Sequence, residues 1–254
     1  MKMDEAIELL TGRIKPESKI TVLTGAGVSA ASGVPTFRGK DGLWKNHAPE
    51  QLATPQAFQR DPALVWEWYN WRREQISKCQ PNAAHLALAA WSARYPGFSL
   101  ITQNVDGLHE KAGTKNLIRF HGSIWEVQCW NQCAQSPARW WDETVPYSKI
   151  PPECPHCGGI LRPGVVWFGE GIDDGVLQRS VAALDCDVFM SIGTSAVVYP
   201  AAGLAADARR RGAFTVEINP ESTPVAGALD LSIQSSAEEL LPMLENRLLR
   251  KSEQ

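Results

Sequence analysis

The hydrophobic positions fall in short apolar runs, each closed by glycine or polar residues. "ITVL" (Ile20 to Leu23) leads into "TGAGVSAASG", while "FSLIT", "DVFMSI" and "FTVEI" lead into "QNVDGLH", "GTS" and "NPE". Apolar runs this short, bounded by turn residues, read as strands buried on both faces. Longer stretches between them, such as Asn82 to Trp91 and Val176 to Leu184, read as helices. The alternation predicts an α/β fold built on a Rossmann-like parallel sheet. The polar tails then fall at the carboxyl ends of the strands, where open α/β sheets bind ligands.

Two stretches interrupt this alternation. Residues 36–80 hold a loop and a helical segment, and residues 124–162 hold clustered cysteines among proline and tryptophan. Both read as insertions that together form a smaller zinc-binding and helical lobe. The large lobe is then expected over 1–35, 81–123 and 163–254 of a single domain, with the chain returning to the sheet near Val165.

Composition changes this picture little. The 254 residues are 44% hydrophobic and 21% charged, with a net charge of −3, which suits one globular domain and gives no electrostatic reason for a nucleic-acid or membrane partner. The start lacks the apolar core of a signal peptide and no stretch reaches the length of a membrane span, so a cytoplasmic protein is expected. A monomer is the expectation for assembly, although the sequence does not fix it.

Four of the six cysteines form two knuckles, "CWNQC" (Cys129, Cys133) and "CPHC" (Cys154, Cys157), separated by twenty residues. Paired knuckles in a cytosolic chain supply four thiolates for one tetrahedral, structural Zn²⁺. His156 lies inside the second knuckle and could compete as a ligand. Cys79 and Cys186 stand apart and read as buried thiols.

"GAGVSA" (Gly25 to Ala30) fits the glycine fingerprint of dinucleotide sites, in which the backbone approaches a pyrophosphate at a helix N-terminus. The acidic residue expected about 20 positions on, at a second strand end, is missing. Asp41 lies in "FRGKDGLW" with no strand before it, which argues against a conventional dehydrogenase. In "TQNVDGLH", Asn104 and Asp106 form a pair able to read an amide, with Asp106 as the acceptor. His121, between "LIRF" and the cysteine insert, should face the junction of the lobes. His47 and His85 have weaker context, and His109 reads as packing on its helix.

"VWEWYNWRRE" (Val65 to Glu74) places Tyr69 and Arg72 one helical turn apart. The pair could receive an anion, or Arg72 could simply stack on Trp68 at i, i+4. Trp66, Trp71 and Arg73 read as packing and solvation.

Taken together, "TGAGVSAASGVPTFRG", "TQNVDGLHEKAG", "HGS", the cysteine pairs, "RPGVVWFGE", "SIGTSAVVYPAA" and "EINPE" resemble the sirtuins, NAD-dependent protein-lysine deacylases, over roughly Lys19 to Glu221. "VVWFGE", "GTSAVVYPAA" and the Tyr-x-x-Arg pattern are most similar to the class III branch, which removes acidic acyl groups. The resemblance implies an NAD-binding loop at Gly25, Ala26, Gly27, Ser29, Thr36, Phe37 and Arg38, ending at Trp44. It implies a nicotinamide and ribose pocket at Gln103, Asn104, Val105 and Asp106, with His121 as general base and Asn104 beside it in catalysis. Gly193, Thr194 and Ser195 would contact ribose and phosphate, and Asn219, Pro220 and Glu221 the adenosine end. Cys129, Cys133, Cys154 and Cys157 would hold the zinc. An acylated peptide would lie as an extended strand against Val166, Trp167, Phe168, Gly169, Glu170 and Tyr199, with Tyr69 and Arg72 at the acyl chain.

The activity so implied is NAD-dependent removal of succinyl, malonyl, glutaryl and acetyl groups, yielding nicotinamide and O-acyl-ADP-ribose. Two rivals remain open: a protein ADP-ribosyltransferase and a non-catalytic NAD-sensing zinc module. The three-residue spacer of the first knuckle departs from the commoner two-residue spacing, which loosens the zinc geometry without changing the ligand set.

Overall fold

The computed structural model describes residues 3–36 and 49–252. Within them, β1 (Ile20–Thr24), β2 (Phe98–Thr102), β3 (Leu117–Arg119), β7 (Val188–Ile192), β8 (Phe214–Ile218) and β9 (Leu231–Ile233) form one sheet in the order β3-β2-β1-β7-β8-β9. Every pairing in it is parallel. The α/β expectation therefore holds, and the strand order reverses between β1 and β7.

Residue alternation along the strands explains why both sheet faces are covered. Ile20, Val22, Leu100, Met190 and Val216 share one apolar cluster with residues of α1 (Met3–Arg13), α5 (Ala83–Arg94) and α9 (Ala237–Ser252). Leu23, Ile101 and Phe189 point the other way, into a cluster completed by α7 (Asp174–Ala182) and α8 (Leu204–Arg210). No described helix is long and apolar enough to cross a membrane.

A second unit is built from α2 (Pro49–Leu52), α3 (Pro55–Arg60), α4 (Pro62–Ser77) and a three-stranded antiparallel sheet of β4 (Gly122–Cys129), β5 (Trp140–Trp141) and β6 (Leu161–Val165). The starts of α3 and α4 are written into the sequence. Thr54 Oγ1 accepts from Ala57 N (3.1 Å) and Asp61 Oδ1 from Leu64 N (3.0 Å), each followed by a proline whose missing N–H costs nothing in the first turn. Helices and sheet share one core, including Phe58, Trp66, Tyr69, Ile124, Leu161 and Trp167.

Two expectations are corrected here. The large lobe was expected from residue 163, with the chain back in the sheet near Val165; instead β6 pairs antiparallel with β4, and the main sheet is rejoined only at Val188. The stretch Leu161 to Val165 holds Arg162, Pro163 and Gly164 and carries no apolar periodicity of its own, so its partner is decided by tertiary pairing. Arg73, read with Trp66 and Trp71 as serving packing and solvation, has no share in solvation, being fully buried. Its Nη1 donates to Ile124 O (3.2 Å) and its Nη2 to Asp142 Oδ1 (3.0 Å), with its guanidinium beside the rings of Trp125 and Tyr147. It ties α4 to the cysteine-bearing insert.

The four cysteines converge. Sγ atoms of Cys129 and Cys157 are 3.6 Å apart, those of Cys133 and Cys154 3.9 Å, and all four lie within 4.8 Å of one another. Tetrahedral Zn–S bonds of about 2.3 Å require sulfurs about 3.8 Å apart, so the set fits zinc with no position left for catalysis. His156 is not among the converging groups; its ring lies 6.1 Å from that of Trp140. Metal analysis of the folded chain should find one zinc per chain. Chelation or Cys154→Ser should lower Tm by about 10 °C or more. A folded, active preparation without zinc would remove the assignment.

Candidate functional site

A cleft of about 650 Å³ opens where the strand order reverses, between the sheet and the smaller unit. Its floor is made by the segments that leave four neighbouring strands: Gly25 to Gly27 after β1, Gln103 to Val105 after β2, Gly193 to Ser195 after β7, and Asn219 to Glu221 after β8. A reversal of strand order is where adjacent connections diverge and leave such a crevice.

The glycines of the fingerprint serve this floor in a specific way. Gly25 N donates to Ile192 O (3.0 Å) and Gly27 N to Gly193 O (2.8 Å), so the two loops touch backbone to backbone. A Cβ on Gly25 would lie 2.7 Å from Thr194 Cβ, and one on Gly27 would lie 2.8 Å from Gly193 Cα. Gly193 also has φ +60°. The segment that follows, Ala26–Ser32, is a single 3-10 helix rather than the α-helix the fingerprint suggests.

Beneath the floor lies a buried polar network. Asn104 Nδ2 donates to Gly25 O (3.0 Å) and Ser29 Oγ (3.2 Å). A carbonyl oxygen can only accept, which orients the amide and leaves Oδ1 as the group Asn104 offers elsewhere. Ser29 Oγ donates to Asp106 Oδ2 (2.8 Å), and Leu108 N donates to Asp106 Oδ1 (2.9 Å). Burial raises the Asp106 pKa, against the pull of these donors and of Arg72. Ser29 and Asp106 therefore stand behind the cleft wall, with both carboxylate oxygens already receiving protein donors. Each oxygen keeps a second lone pair, so the carboxylate can still accept from an amide N–H. Gln103 Nε2 donates to Thr194 Oγ1 (3.0 Å), bridging two of the floor segments.

His121 sits at the junction of the lobes, as its position suggests. Its main chain is held by Val166 N, which donates to His121 O (2.9 Å). The next residue must be glycine, because Gly122 has φ +77° and a Cβ there would lie 2.2 Å from Gly164 O. His121 Nδ1 is 3.2 Å from Gln103 O. Because the carbonyl accepts, Nδ1 carries the proton and Nε2 holds the lone pair. Burial lowers the His121 pKa below its ordinary value, partly offset by this hydrogen bond, so the ring is neutral at pH 7.

Tyr69 and Arg72, one turn apart on α4, both line the cleft and are 2% and 5% exposed. The Arg72 guanidinium lies 4.9 Å from the Trp68 ring, so the stacking contact is present as well. Burial lowers the Arg72 pKa, and the Tyr69 and Asp106 groups oppose that shift. Val166 to Glu170 and Tyr199 also line the cleft. Glu170 is committed within the wall, since Arg162 Nη1 and Nη2 reach its two oxygens at 2.6 and 2.9 Å.

Thr36 lies at the cleft, whereas Phe37, Arg38, Trp44, Asp41 and His47 are outside the described residues. His109 is buried with Nε2 3.0 Å from Thr24 Oγ1. His85 caps α5 with Asn82 and lies 3.3 Å from Ser29 Oγ, its pKa lowered to about 4 by burial. Neither histidine lines the cleft. Ser236, Ala237 and Glu238, at the start of α9, do line it and were missed. The strand-end rule reaches them once "LSI" is recognised as the outermost strand.

The Sir2 family model matches residues 25–200. An "NAD-dependent protein deacylase" of Aquifex aeolicus (strain VF5) is 49% identical over 233 residues, covering 91% of this chain and 96% of the relative. An "NAD-dependent protein deacylase 1" of Caldanaerobacter subterraneus subsp. tengcongensis is 52% identical, covering 91% and 95%. Among solved structures, a Sir2 homolog–NAD complex is 45% identical with a TM-score of 0.87, covering 98% of this chain and 95% of that one. With the parallel sheet, the four-sulfur cluster and this cleft in one chain, these matches have one meaning: the chain belongs to the Sir2 family.

Proposed function

We propose that this protein uses NAD to remove acyl groups from protein lysine side chains, with a preference for acyl chains that end in a carboxylate. Family membership supports NAD-dependent deacylation; the acidic preference is carried by one observation, the buried Arg72 guanidinium in the cleft wall one turn from Tyr69. The planar fork of a guanidinium in the cleft wall matches a carboxylate and can meet it through charge-assisted hydrogen bonds. Succinyl and malonyl chains carry that group, as does glutaryl, while acetyl carries none.

NAD supplies an anomeric carbon with nicotinamide as its leaving group, so a weakly nucleophilic lysine amide can react there. The chain's own residues do the rest. Asn104 offers Oδ1 toward the cleft, its Nδ2 being held by Gly25 O and Ser29 Oγ. His121 takes a proton at Nε2, the nitrogen left basic by its Nδ1 contact with Gln103 O. The segment from Val166 to Glu170 and Tyr199 offer the two edges for an extended acylated peptide. One water is consumed, the products are free lysine, nicotinamide and O-acyl-ADP-ribose, and the zinc takes no part.

His121→Ala should retain NAD binding while deacylation falls by roughly 10²–10⁴-fold. Near-full turnover would remove His121 from the role, and label transferred to protein in place of acyl-ADP-ribose would favour an ADP-ribosyltransferase. Because burial lowers the His121 pKa, the base is lost only as pH falls through that depressed value. The acid limb of kcat/KM should therefore fall below the ordinary histidine value of 6.5. A limb at or above it would contradict the assignment.

Arg72→Met should reduce kcat/KM for a succinylated peptide by roughly 30-fold or more relative to the acetylated peptide. Equal losses on both peptides would return Arg72 to a structural role.

A further inference from the structure

Trp167, two residues past the end of β6, is held on several sides. It is 2% exposed, and the Arg162 guanidinium carbon sits 3.7 Å from its ring centroid. Arg162 is itself held by both oxygens of Glu170 and donates to Val165 O (3.0 Å). Trp167 N donates to Glu170 Oε2 (2.8 Å), and Phe58 packs against the ring at 5.2 Å. The indole is held by Arg162 and Phe58, and the Trp167 main chain by Glu170. The one polar atom of the indole, Nε1, points at the Tyr69 hydroxyl at 3.0 Å.

An indole N–H donates and never accepts. At this contact Tyr69 Oη must therefore receive, and its own proton must point elsewhere. Among the described residues no acceptor takes that proton, although the phenol is buried in the cleft wall. A hydroxyl with a free choice of partner serves donors and acceptors alike. One locked by an indole serves an acceptor.

We infer that Trp167 is a positioning residue for acyl selectivity, its indole N–H holding the Tyr69 hydroxyl as a donor aimed at an acceptor on the acyl chain. Tyr69 and Arg72 then present only donors, which a carboxylate, an acceptor with two oxygens, satisfies together. A terminal methyl engages neither group, and a terminal carboxamide sets its NH₂ against one of them. This rests on the reading of Tyr69 and Arg72 as the acyl-recognition pair.

The test compares kcat and KM on succinylated and acetylated forms of one peptide for wild type, Trp167→Phe, Tyr69→Phe and the double variant. Trp167→Phe keeps an aromatic ring against Arg162 and removes the donor. The succinyl-to-acetyl ratio of kcat/KM should fall about tenfold, mainly through a higher KM for the succinylated peptide. If Trp167 acts through Tyr69, the double variant should have a ratio no lower than Tyr69→Phe alone. An unchanged ratio, equal losses on both peptides, or losses that multiply in the double variant would each overturn the inference. Should Trp167→Phe fail to fold, Arg162→Lys, which loosens that hold on the indole, should move the ratio in the same direction in wild type but not in Tyr69→Phe. Arg72→Met separates the two claims. If it leaves selectivity intact, the acyl-recognition reading falls; if selectivity depends on Arg72 but not on Trp167, only this inference falls.

Discussion

Two loops leaving adjacent parallel strands touch backbone to backbone at Gly25, Gly27 and Gly193, and nothing larger than hydrogen fits between them. That contact closes the floor of the cleft while the chain connections on either side diverge, as the reversal of strand order requires. The other features of the site are arranged around it. Asn104 is oriented by Gly25 O, Gln103 reaches across to Thr194, and His121 takes its tautomer from the main chain of Gln103. A side chain at the glycine contact would push these groups apart together, since each is positioned through the loop beside it.

The smaller unit solves a different problem. Its helices and its three-stranded sheet come from segments far apart in the chain, and the polar links between them run through buried side chains. Trp66 Nε1 donates to Leu161 O (2.7 Å), and Arg73 joins α4 to Ile124 and Asp142. Asn70 Oδ1 accepts from Tyr147 N (2.9 Å). Burying the Arg73 charge is tolerable because a carboxylate and two carbonyls receive it, and breaking one such link would leave a charge in a dry core. The four-sulfur cluster holds the far end of the sheet, where a short insert has little apolar area of its own. Helix α4 thus lies on a braced surface, which lets it carry Tyr69 and Arg72 into the cleft without losing their alignment.

Periodicity and turn chemistry made the sheet legible in the sequence. The runs Ile20 to Leu23, Phe98 to Thr102, Val188 to Ile192 and Phe214 to Ile218 carry enough local signal to be strands, and their polar tails are the cleft floor. The cysteine spacing announced one metal site, and the i, i+3 spacing of Tyr69 and Arg72 placed them on one helical face. These features are local: a few residues decide each, through strand alternation, helical period or ligand spacing.

What required the tertiary structure is direction and partnership. The chain is expected back in the main sheet near Val165, but the antiparallel pairing of Leu161 to Val165 with β4 places it in the small sheet. Asp106 reads in sequence as one half of an amide-reading pair, and only the fold shows that its oxygens also receive Ser29 Oγ and Leu108 N. Arg73 and Arg72 are neighbours in sequence with the same side chain; one braces the lobe and the other faces the cleft, because helical geometry sends them about 100° apart. The sequence determined which chemical groups this protein owns and roughly where each element starts. The fold alone decided which of those groups spend their hydrogen bonds on the protein and which are left facing the cleft, because that depends on contacts between residues tens of positions apart.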